Sequence, residues 1–328
     1  MIVFEVIFMY YVGIDLGGTA IKVGLVDENG NIIEKISADT GAKRENEEIF
    51  KDMAKLSRDV CRKAGVNYDE IESIGLATPG LVQGDVIRFA NNLGFFDLDA
   101  GKMLGEMTGK KVYVGNDANL AALGEALCGG GKGASSVAML TLGTGLGMGI
   151  IIDGAVYVGT NGGAGEFGHT IVERNGYPCS CGNKGCLECY TSATALVRMT
   201  LDAMKEHKES EMWKMCGGNL TKVSGQTAWR ARDTGDKTAE EVVDKYTDYV
   251  SIAIANAVNT LQPEVVLIGG GVSNEGENLF SILRKKAGSM MYANQTSVKQ
   301  AEIKRATLGN NAGMVGAAMF AKTGGKTA

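Results

Sequence analysis

Glycine-rich turns between short β-branched strands constrain the fold of this chain more than any other feature. The first, Leu16–Thr19, separates the apolar runs 10–15 and 20–27, and Asn29-Gly30 is a strong hairpin signal before a third run. The other half repeats the unit, with Gly143-Thr-Gly145 between two further runs. With 47 glycines and only 3 prolines, we expect tight turns and close backbone approaches. The repetition predicts a duplicated α/β fold, two lobes with a cleft between them.

Helical periodicity fills much of the chain between these strands. Apolar residues recur at helical spacing from Ile49 until Gly65 ends the pattern. We predict that Thr238-Ala-Glu-Glu241 forms the capping box of a long amphipathic helix. The other expected elements are helices at 118–127, 192–206 and 312–321, and strands at 71–77, 111–114, 137–142, 147–153 and 264–268.

Composition narrows the range of partners. The chain has 328 residues, 45% hydrophobic and 22% charged, which suits two lobes of ordinary size with a buried core. The formal charge of −5, with Lys and Arg dispersed, gives no basic stripe to neutralise a phosphate backbone. Nucleic acid is therefore not an expected partner.

The apolar opening 1–14 resembles neither a signal peptide nor a membrane span. It carries Glu5 and is shorter than the ~20 residues that a span needs. We interpret it as a first strand with a short extension, with translation starting at either Met1 or Met9. Seven cysteines in a chain of this kind indicate a reducing compartment, where clustered thiols bind metal more often than they pair. We expect a cytoplasmic protein that inserts into no membrane.

The glycine turns allow two interpretations. Backbone N–H groups of Asp15-Leu-Gly-Gly-Thr19 can face an anion while Asp15 faces its metal, yet a plain tight hairpin has the same sequence. Further turns at 142–147 and 269–271 shift the balance towards a nucleotide held between the lobes. Neither a Walker loop nor a Gly-x-Gly-x-x-Gly strand–helix motif is present in the sequence, which disfavours Walker-type enzymes and nicotinamide cofactors.

A cysteine-rich segment has the spacing of a metal site. His169, Cys179, Cys181 and Cys186 supply one imidazole and three thiolates, the ligand set of tetrahedral structural Zn²⁺. Unligated thiols and an iron–sulfur cluster are the alternatives. Cys186 and Cys189 have Cys-x2-Cys spacing, so the residues alone allow Cys189 to be the fourth metal ligand in place of His169.

Several motifs follow one another in a fixed order: Asp15-Leu-Gly-Gly-Thr19, Asn116-Asp117-Ala-Asn119, Thr141-Leu-Gly-Thr-Gly145, Gly165-Glu-Phe-Gly-His169, Cys179-Ser-Cys-Gly182, Gly185-Cys-Leu-Glu188 and Gly269-Gly-Gly-Val272. Together they resemble the ROK family of sugar kinases and repressors, from about residue 11 to 320. Within the family the chain is most similar to bacterial glucokinases, notably in Phe89-Ala-Asn-Asn-Leu93 and Leu308-Gly-Asn-Asn-Ala312. The resemblance implies the actin-like, ribonuclease H-like ATPase fold, with a small lobe at 1–118 plus about 309–328 and a large lobe at 119–308.

The resemblance implies ATP-dependent phosphorylation of glucose to glucose 6-phosphate. Asp117 matches the family's general base, although an ordinary helix N-cap would explain the residue equally well without the flanking motifs. The resemblance also favours His169 over Cys189 as the fourth Zn²⁺ ligand. The implied sugar ligands are Asn92, Asn116, Asp117, Glu166, His169 and Glu188, and the implied positions for ATP and Mg²⁺ are Asp15, Gly17, Gly18, Thr19, Lys22, Thr144, Gly145, Gly270 and Gly271.

Two alternatives follow from the same family. Another ROK kinase would act on fructose, mannose, allose or an N-acetylated amino sugar. A sugar-responsive transcription repressor would carry an additional N-terminal helix-turn-helix domain, whereas the first phosphate turn begins here at Asp15, so we expect a kinase. The family also suggests a homodimer. Because the glycine turns lie elsewhere in the sequence, we expect the zinc-binding loop to support the sugar site and to affect ATP binding much less.

Overall fold

The computed structural model describes residues 9–328 of the chain. The extension that we predicted before the first strand falls mainly on residues 1–8 and lies outside the described residues. The described chain begins with a meander of three antiparallel strands, β1 (Tyr10–Leu16), β2 (Ala20–Asp27) and β3 (Ile32–Asp39). Gly30 has a φ of 85° between β2 and β3, which confirms the predicted hairpin turn.

The first helix follows the predicted pattern closely. α1 (Asn46–Ala64) buries Ile49, Phe50 and Met53. Gly65 ends the helix in a left-handed conformation with a φ of 72°, and its N–H bonds to the carbonyl oxygen of Arg62. The elements that follow are β4 (Ile71–Thr78), β5 (Leu81–Gln83), β6 (Val86–Ala90), β7 (Phe95–Asp99), α2 (Ala100–Thr108), β8 (Lys111–Asn116) and α3 (Asp117–Cys128).

The rest of the chain contains the second pair of strands around a glycine turn. β9 (Ser136–Leu142) and β10 (Leu146–Ile152) confirm the predicted unit around residues 143–145. The remaining elements are β11 (Ala155–Val156), α4 (Glu188–Thr191), α5 (Ala193–Glu206), α6 (Met212–Met215), α7 (Thr227–Asp233), α8 (Lys237–Leu261), β12 (Val265–Gly269), α9 (Glu277–Met290), β13 (Glu302–Arg305) and α10 (Ala312–Lys322).

Two five-stranded sheets organise these elements. One has the order β3-β2-β1-β4-β8, in which β4 is parallel to both β1 and β8. The other has the order β11-β10-β9-β12-β13. A small antiparallel sheet, β5-β6-β7, was not predicted from the sequence. Among the described residues, no helix is both long enough and apolar enough to cross a membrane.

Contacts divide the described chain into two compact units. The first runs up to Val137 and includes Gly149–Ala164 and Thr307–Ala328. The second comprises Ala138–Met148 and Gly165–Ala306. The lobes inferred from the sequence, with limits at 118/119 and about 308/309, remain a prediction.

Glycines bring α10 against the strands of the first sheet. A Cβ atom on Gly13 would lie 1.9 Å from the Met314 carbonyl oxygen, and one on Gly75 would lie 1.8 Å from the Ala317 carbonyl oxygen. Both distances are shorter than any real contact, so only glycine permits this approach. The backbone of α10 therefore packs directly on β1 and β4. Of these two strands, β1 is the one that leads into the first glycine turn.

The predicted capping box of the long helix is wrong. α8 begins at Lys237, and its N-cap is Asp236, whose carboxylate accepts the Ala239 N–H at 3.0 Å. Thr238 is already inside the first turn of the helix. The Asp236 carboxylate supplies the acceptor that the first turn requires, so the chain enters the helix two residues earlier than we predicted.

Candidate functional site

The first glycine turn places its charged residues side by side. The Lys22 ammonium lies 3.0 Å from Asp15 Oδ2, and both side chains are partly exposed. Thr40, which is buried at the end of the meander, donates its hydroxyl to the Gly17 carbonyl oxygen at 2.6 Å and its N–H to the Thr19 carbonyl oxygen at 2.9 Å. Gly18 and Thr19 are exposed at the tip. Thr40 therefore fixes the backbone of the turn, while Gly18 and Thr19 at its tip remain exposed to solvent.

The segment that leads into α10 lies against this turn. The Asn310 carbonyl oxygen accepts a hydrogen bond from Lys22 Nζ at 3.4 Å. A Cβ atom on Gly313 would lie 3.1 Å from the Asp15 carboxyl carbon, so glycine lets α10 begin close to Asp15. Residues from opposite ends of the chain therefore flank one carboxylate.

Glu125 fixes the same segment and was missed by the sequence analysis. Its side chain is fully buried in α3, and its carboxylate accepts the N–H groups of Gly130 at 2.9 Å, Thr307 at 2.9 Å and Leu308 at 2.6 Å. Backbone hydrogen bonds compensate a carboxylate for its lost hydration. The only signal in the sequence is an acid within the alanine-rich apolar helix 118–127.

The second glycine turn is held by residues that follow the cysteine-rich segment. The Gly143 N–H bonds to the Gly145 carbonyl oxygen at 3.0 Å, which closes the turn. Ala193 donates its N–H to the Gly143 carbonyl oxygen at 2.8 Å, and Thr194 donates its hydroxyl to the Thr144 carbonyl oxygen at 2.8 Å. Both donors are the first residues of α5.

Glu188 also contacts the second turn. Its Oε2 atom accepts the Leu146 N–H at 2.9 Å. A Cβ atom on Gly145 would lie only 2.1 Å from this oxygen, so the position requires glycine if Glu188 is to reach the backbone. Glu188 was predicted only as a sugar ligand, and its contact with the turn is an addition from the structure.

The sequence left open whether Asp117 is the N-cap of its helix, and the structure gives that position to Asn116. Asn116, not Asp117, is the N-cap of α3: its Oδ1 accepts the Asn119 N–H at 3.1 Å, while its Nδ2 donates to the Gly80 carbonyl oxygen at 3.0 Å. Asp117 is the first helical residue, and its Oδ1 accepts the Ala118 N–H at 2.8 Å. A helix N-terminus favours a negative charge at this position.

The predicted metal ligands come together. One donor atom from each of His169, Cys179, Cys181 and Cys186 lies within 4.8 Å of the others. The Cys181 and Cys186 sulfurs are 3.6 Å apart, close to the separation of about 3.8 Å that tetrahedral bonds of ~2.3 Å give. The Cys189 thiol donates to the Pro178 carbonyl oxygen at 3.6 Å and also contacts the Cys179 side chain, but it is not one of the four grouped donors.

The thiols of this group differ in acidity. A hydrogen bond from the Asn183 backbone lowers the pKa of Cys181 to about 7, whereas burial raises the pKa of Cys186 to about 12. A metal ion must therefore displace a proton from the Cys186 thiol, and its charge favours that loss. The donor set fits a structural Zn²⁺ ion.

His169 presents its two ring nitrogens to different neighbours. Nδ1 lies 3.6 Å from the Cys179 sulfur, and Nε2 lies 3.8 Å from Glu166 Oε2. Glu166 is exposed, and His169 lies in the short 3₁₀ turn Phe167–His169. One nitrogen can therefore bind a metal while the other faces the Glu166 side.

The other predicted residues lie at turns. Gly270, with a φ of 83°, follows β12, and a Cβ atom there would lie 2.3 Å from the Leu142 carbonyl oxygen. Gly271 has no atom within 4 Å of a Cβ position. Asn92 is exposed in the 3₁₀ turn Asn91–Leu93.

These features define the actin-like ATPase fold, with mixed sheets and a glycine turn in each unit. The ROK family model matches residues 11–324. The chain therefore belongs to the ROK family, as the sequence motifs indicated.

The relatives include glucokinases of similar length. The glucokinase of Halalkalibacterium halodurans is 37% identical over 95% of both chains. The ROK family glucokinase of Streptomyces griseus, solved in complex with glucose and AMPPNP, is 32% identical with a TM-score of 0.79, over 96% of this chain and 99% of that one. The ROK hexokinase of Thermus thermophilus is 33% identical with a TM-score of 0.80, over 97% and 100%.

Proposed function

We propose that this protein is an ATP-dependent hexose 6-kinase with glucose as its substrate. The observation that carries the proposal is the placement of Asp117 as the first residue of α3, where Asn116 already caps the helix. Because Asn116 makes the N-cap contact, capping does not by itself account for an acid at position 117, whose Oδ1 accepts the Ala118 N–H. The likeness to glucokinases, one of them solved with glucose and AMPPNP, supports the same function.

In this proposal Asp117 acts as the general base. It takes the proton from the 6-hydroxyl as that oxygen attacks the γ-phosphorus, while the bond between the γ-phosphorus and the bridging oxygen breaks and ADP leaves. Glu166, Glu188 and the His169 Nε2 atom bind the hydroxyls at the anomeric end of the ring. The 6-hydroxyl then faces Asp117.

The glycine turns bind the nucleotide in this proposal. Gly17, Gly18 and Thr19 of the first turn and Thr144 and Gly145 of the second contribute backbone N–H groups to the phosphates, and Gly270 and Gly271 lie beside the adenosine. Asp15 and Lys22 complete the phosphate site, and Asp15 is placed to hold Mg²⁺. When bound, Mg²⁺ neutralises charge on the transferring phosphoryl group.

Structural Zn²⁺ would be held by His169, Cys179, Cys181 and Cys186. The chemistry that it supplies is structural: it fixes the loop on which Glu166, His169 and Glu188 are carried. The Asn116 side-chain amide donates to the Gly80 carbonyl oxygen and accepts the Asn119 N–H. In addition to the sugar contact, we therefore assign Asn116 the role of holding the start of α3, where Asp117 lies.

A hexose panel tests the proposal. ADP release is measured with ATP and, in turn, glucose, mannose, fructose, allose and N-acetylated amino sugars. We expect the highest kcat/KM with glucose. A higher value with another sugar would assign the chain to another kinase of the family, and no turnover with any hexose would refute the kinase function and favour a sugar-responsive repressor.

A further inference from the structure

Thr194 is a residue to which the proposed function gives no role. It is exposed, yet its hydroxyl hydrogen-bonds to the Thr144 carbonyl oxygen, 50 residues away in the sequence. The neighbouring Ala193 N–H bonds to the preceding carbonyl, that of Gly143. Two successive carbonyls of the second glycine turn are thus held by the first two residues of one helix.

Holding these carbonyls also fixes two N–H groups. The peptide bonds of the described residues are trans, and in a planar trans peptide the C=O and the following N–H point in opposite directions. The Gly143 carbonyl therefore sets the direction of the Thr144 N–H, and the Thr144 carbonyl sets that of the Gly145 N–H. Both N–H groups point away from α5, which is the arrangement of a backbone anion site.

The support behind Thr194 is firm. Ser192 is only 2% exposed and caps α5 by accepting the Ala195 N–H at 3.0 Å. The buried Tyr246 hydroxyl donates to the Thr191 carbonyl oxygen at 2.6 Å, which ties the same segment to α8. The hydroxyl of Thr194 is therefore presented from a fixed backbone.

We propose that Thr194 is a positioning residue for the ATP phosphates, whose hydroxyl orients the Gly145 N–H towards them. The inference rests on the proposed function, since it takes the second turn to be a phosphate site. Glu188 holds a different peptide unit of that turn, through Leu146. Loss of the Thr194 hydroxyl leaves that contact in place, so the effect falls on the nucleotide and not on the sugar.

Three variants test this role. Thr194→Val removes the hydroxyl and keeps the shape, Thr194→Ser keeps the hydroxyl, and Thr221→Val removes an exposed hydroxyl of the same unit that bonds only locally, to Asn219. Affinity for a non-hydrolysable ATP analogue with Mg²⁺ is measured by calorimetry, together with the KM values for ATP and glucose and the melting temperature.

We expect Thr194→Val to weaken nucleotide binding by about 2- to 10-fold, the equivalent of one net hydrogen bond. The KM for glucose and the melting temperature stay near the wild-type values, and Thr194→Ser and Thr221→Val bind the analogue normally. If Thr194→Val fails to fold, Thr194→Ala takes its place.

Three results would overturn the role of Thr194: unchanged nucleotide affinity in Thr194→Val, an equal rise in the KM of both substrates, or a Thr194→Ser variant as weak as Thr194→Val. The failure of the proposed function looks different. In that case the wild-type protein itself binds no nucleotide or phosphorylates no hexose.

Discussion

The two glycine turns are built alike but supported differently. In each, a threonine hydroxyl and a backbone N–H hold two carbonyls: Thr40 does so for the first turn, whereas Ala193 and Thr194 do so for the second. Thr40 ends the same meander that contains its turn, 23 residues from Gly17. The support of the second turn comes from residues that follow the cysteine-rich segment.

This difference changes what the metal site is expected to do. Glu188 contacts the second turn only two residues after Cys186, and Thr194 follows six residues later. We predicted from the sequence that the zinc-binding loop acts on the sugar site and affects ATP binding much less, because the turns are distant along the chain. Since the fold brings the loop's continuation against the second turn, we now expect an effect on both substrates, and none on the first turn.

Asp117→Asn has the largest expected effect and involves neither turn. If Asp117 is the general base, as proposed, its loss lowers kcat by on the order of 10²–10⁴, while binding of glucose and of the ATP analogue stays unchanged. Steady-state kinetics and calorimetry measure the two properties separately. Near-normal turnover would remove Asp117 from the mechanism, and loss of binding would show that it supports a turn instead.

Cys181→Ser tests the support of the second turn. We expect lower zinc content and a KM for glucose raised by about 10–100-fold, the range typical of mutations that remove a residue supporting a metal site. Affinity for the ATP analogue falls by about 2- to 10-fold, because Glu188, two residues after Cys186, no longer holds the Leu146 N–H of the second turn as firmly. Elemental analysis and calorimetry measure these quantities.

Cys189→Ser is the matched control for Cys181→Ser, because its thiol lies in the same loop but outside the ligand group. It is expected to keep its zinc and both affinities. Zinc loss in Cys189→Ser would show that Cys189 is a zinc ligand after all. Full affinity for both substrates in zinc-free Cys181→Ser would show that zinc does not support the second turn.

Gly145→Ala breaks the contact between Glu188 and the second turn. The added methyl group meets Glu188 Oε2, so the carboxylate must move and lose its bond to the Leu146 N–H, which costs about 1 kcal/mol. Gly143→Ala is the control within the turn and Gly18→Ala the control in the first turn, since neither Cβ meets an atom within 4 Å. Urea unfolding that shows equal losses in all three variants would contradict this explanation.

Thr40→Val has the smallest expected effect and tests the first turn. Its hydroxyl is fully buried, and removal of the bond to Gly17 lowers the free energy of unfolding by about 1 kcal/mol. Thr194→Val, at an exposed position, changes this free energy less. Equal losses of stability would mean that the two turns are supported in the same way.

The sequence predicted the elements with strong local patterns. The meander, α1, α5 and α10 follow from apolar periodicity and glycine punctuation, and the cysteine spacing predicted a group that the fold brings together. β13 was missed because only Ile303 of its four residues is buried, and the rest are charged. α9 buries Leu279, Phe280, Leu283 and Ala287, a helical pattern that was present but not used.

The contacts that position the site were beyond the reach of local patterns. Glu125 bonds to residues 182 and 183 positions away, and Thr194 bonds to one 50 positions away. Hydrogen bonds of this kind depend on how strands and helices pack, which no spacing rule encodes. The α8 cap was misplaced for a simpler reason, because two acceptable N-cap residues, Asp236 and Thr238, lie two positions apart.

Phosphorus NMR of the products formed from glucose and ATP tests the central claim most directly. Wild-type protein with Mg²⁺ is expected to yield glucose 6-phosphate and ADP in equal amounts, because the proposed mechanism has Asp117 deprotonate the 6-hydroxyl. Glucose 1-phosphate would contradict the proposed orientation of the sugar. Inorganic phosphate and ADP alone, or no turnover at all, would contradict the kinase function itself.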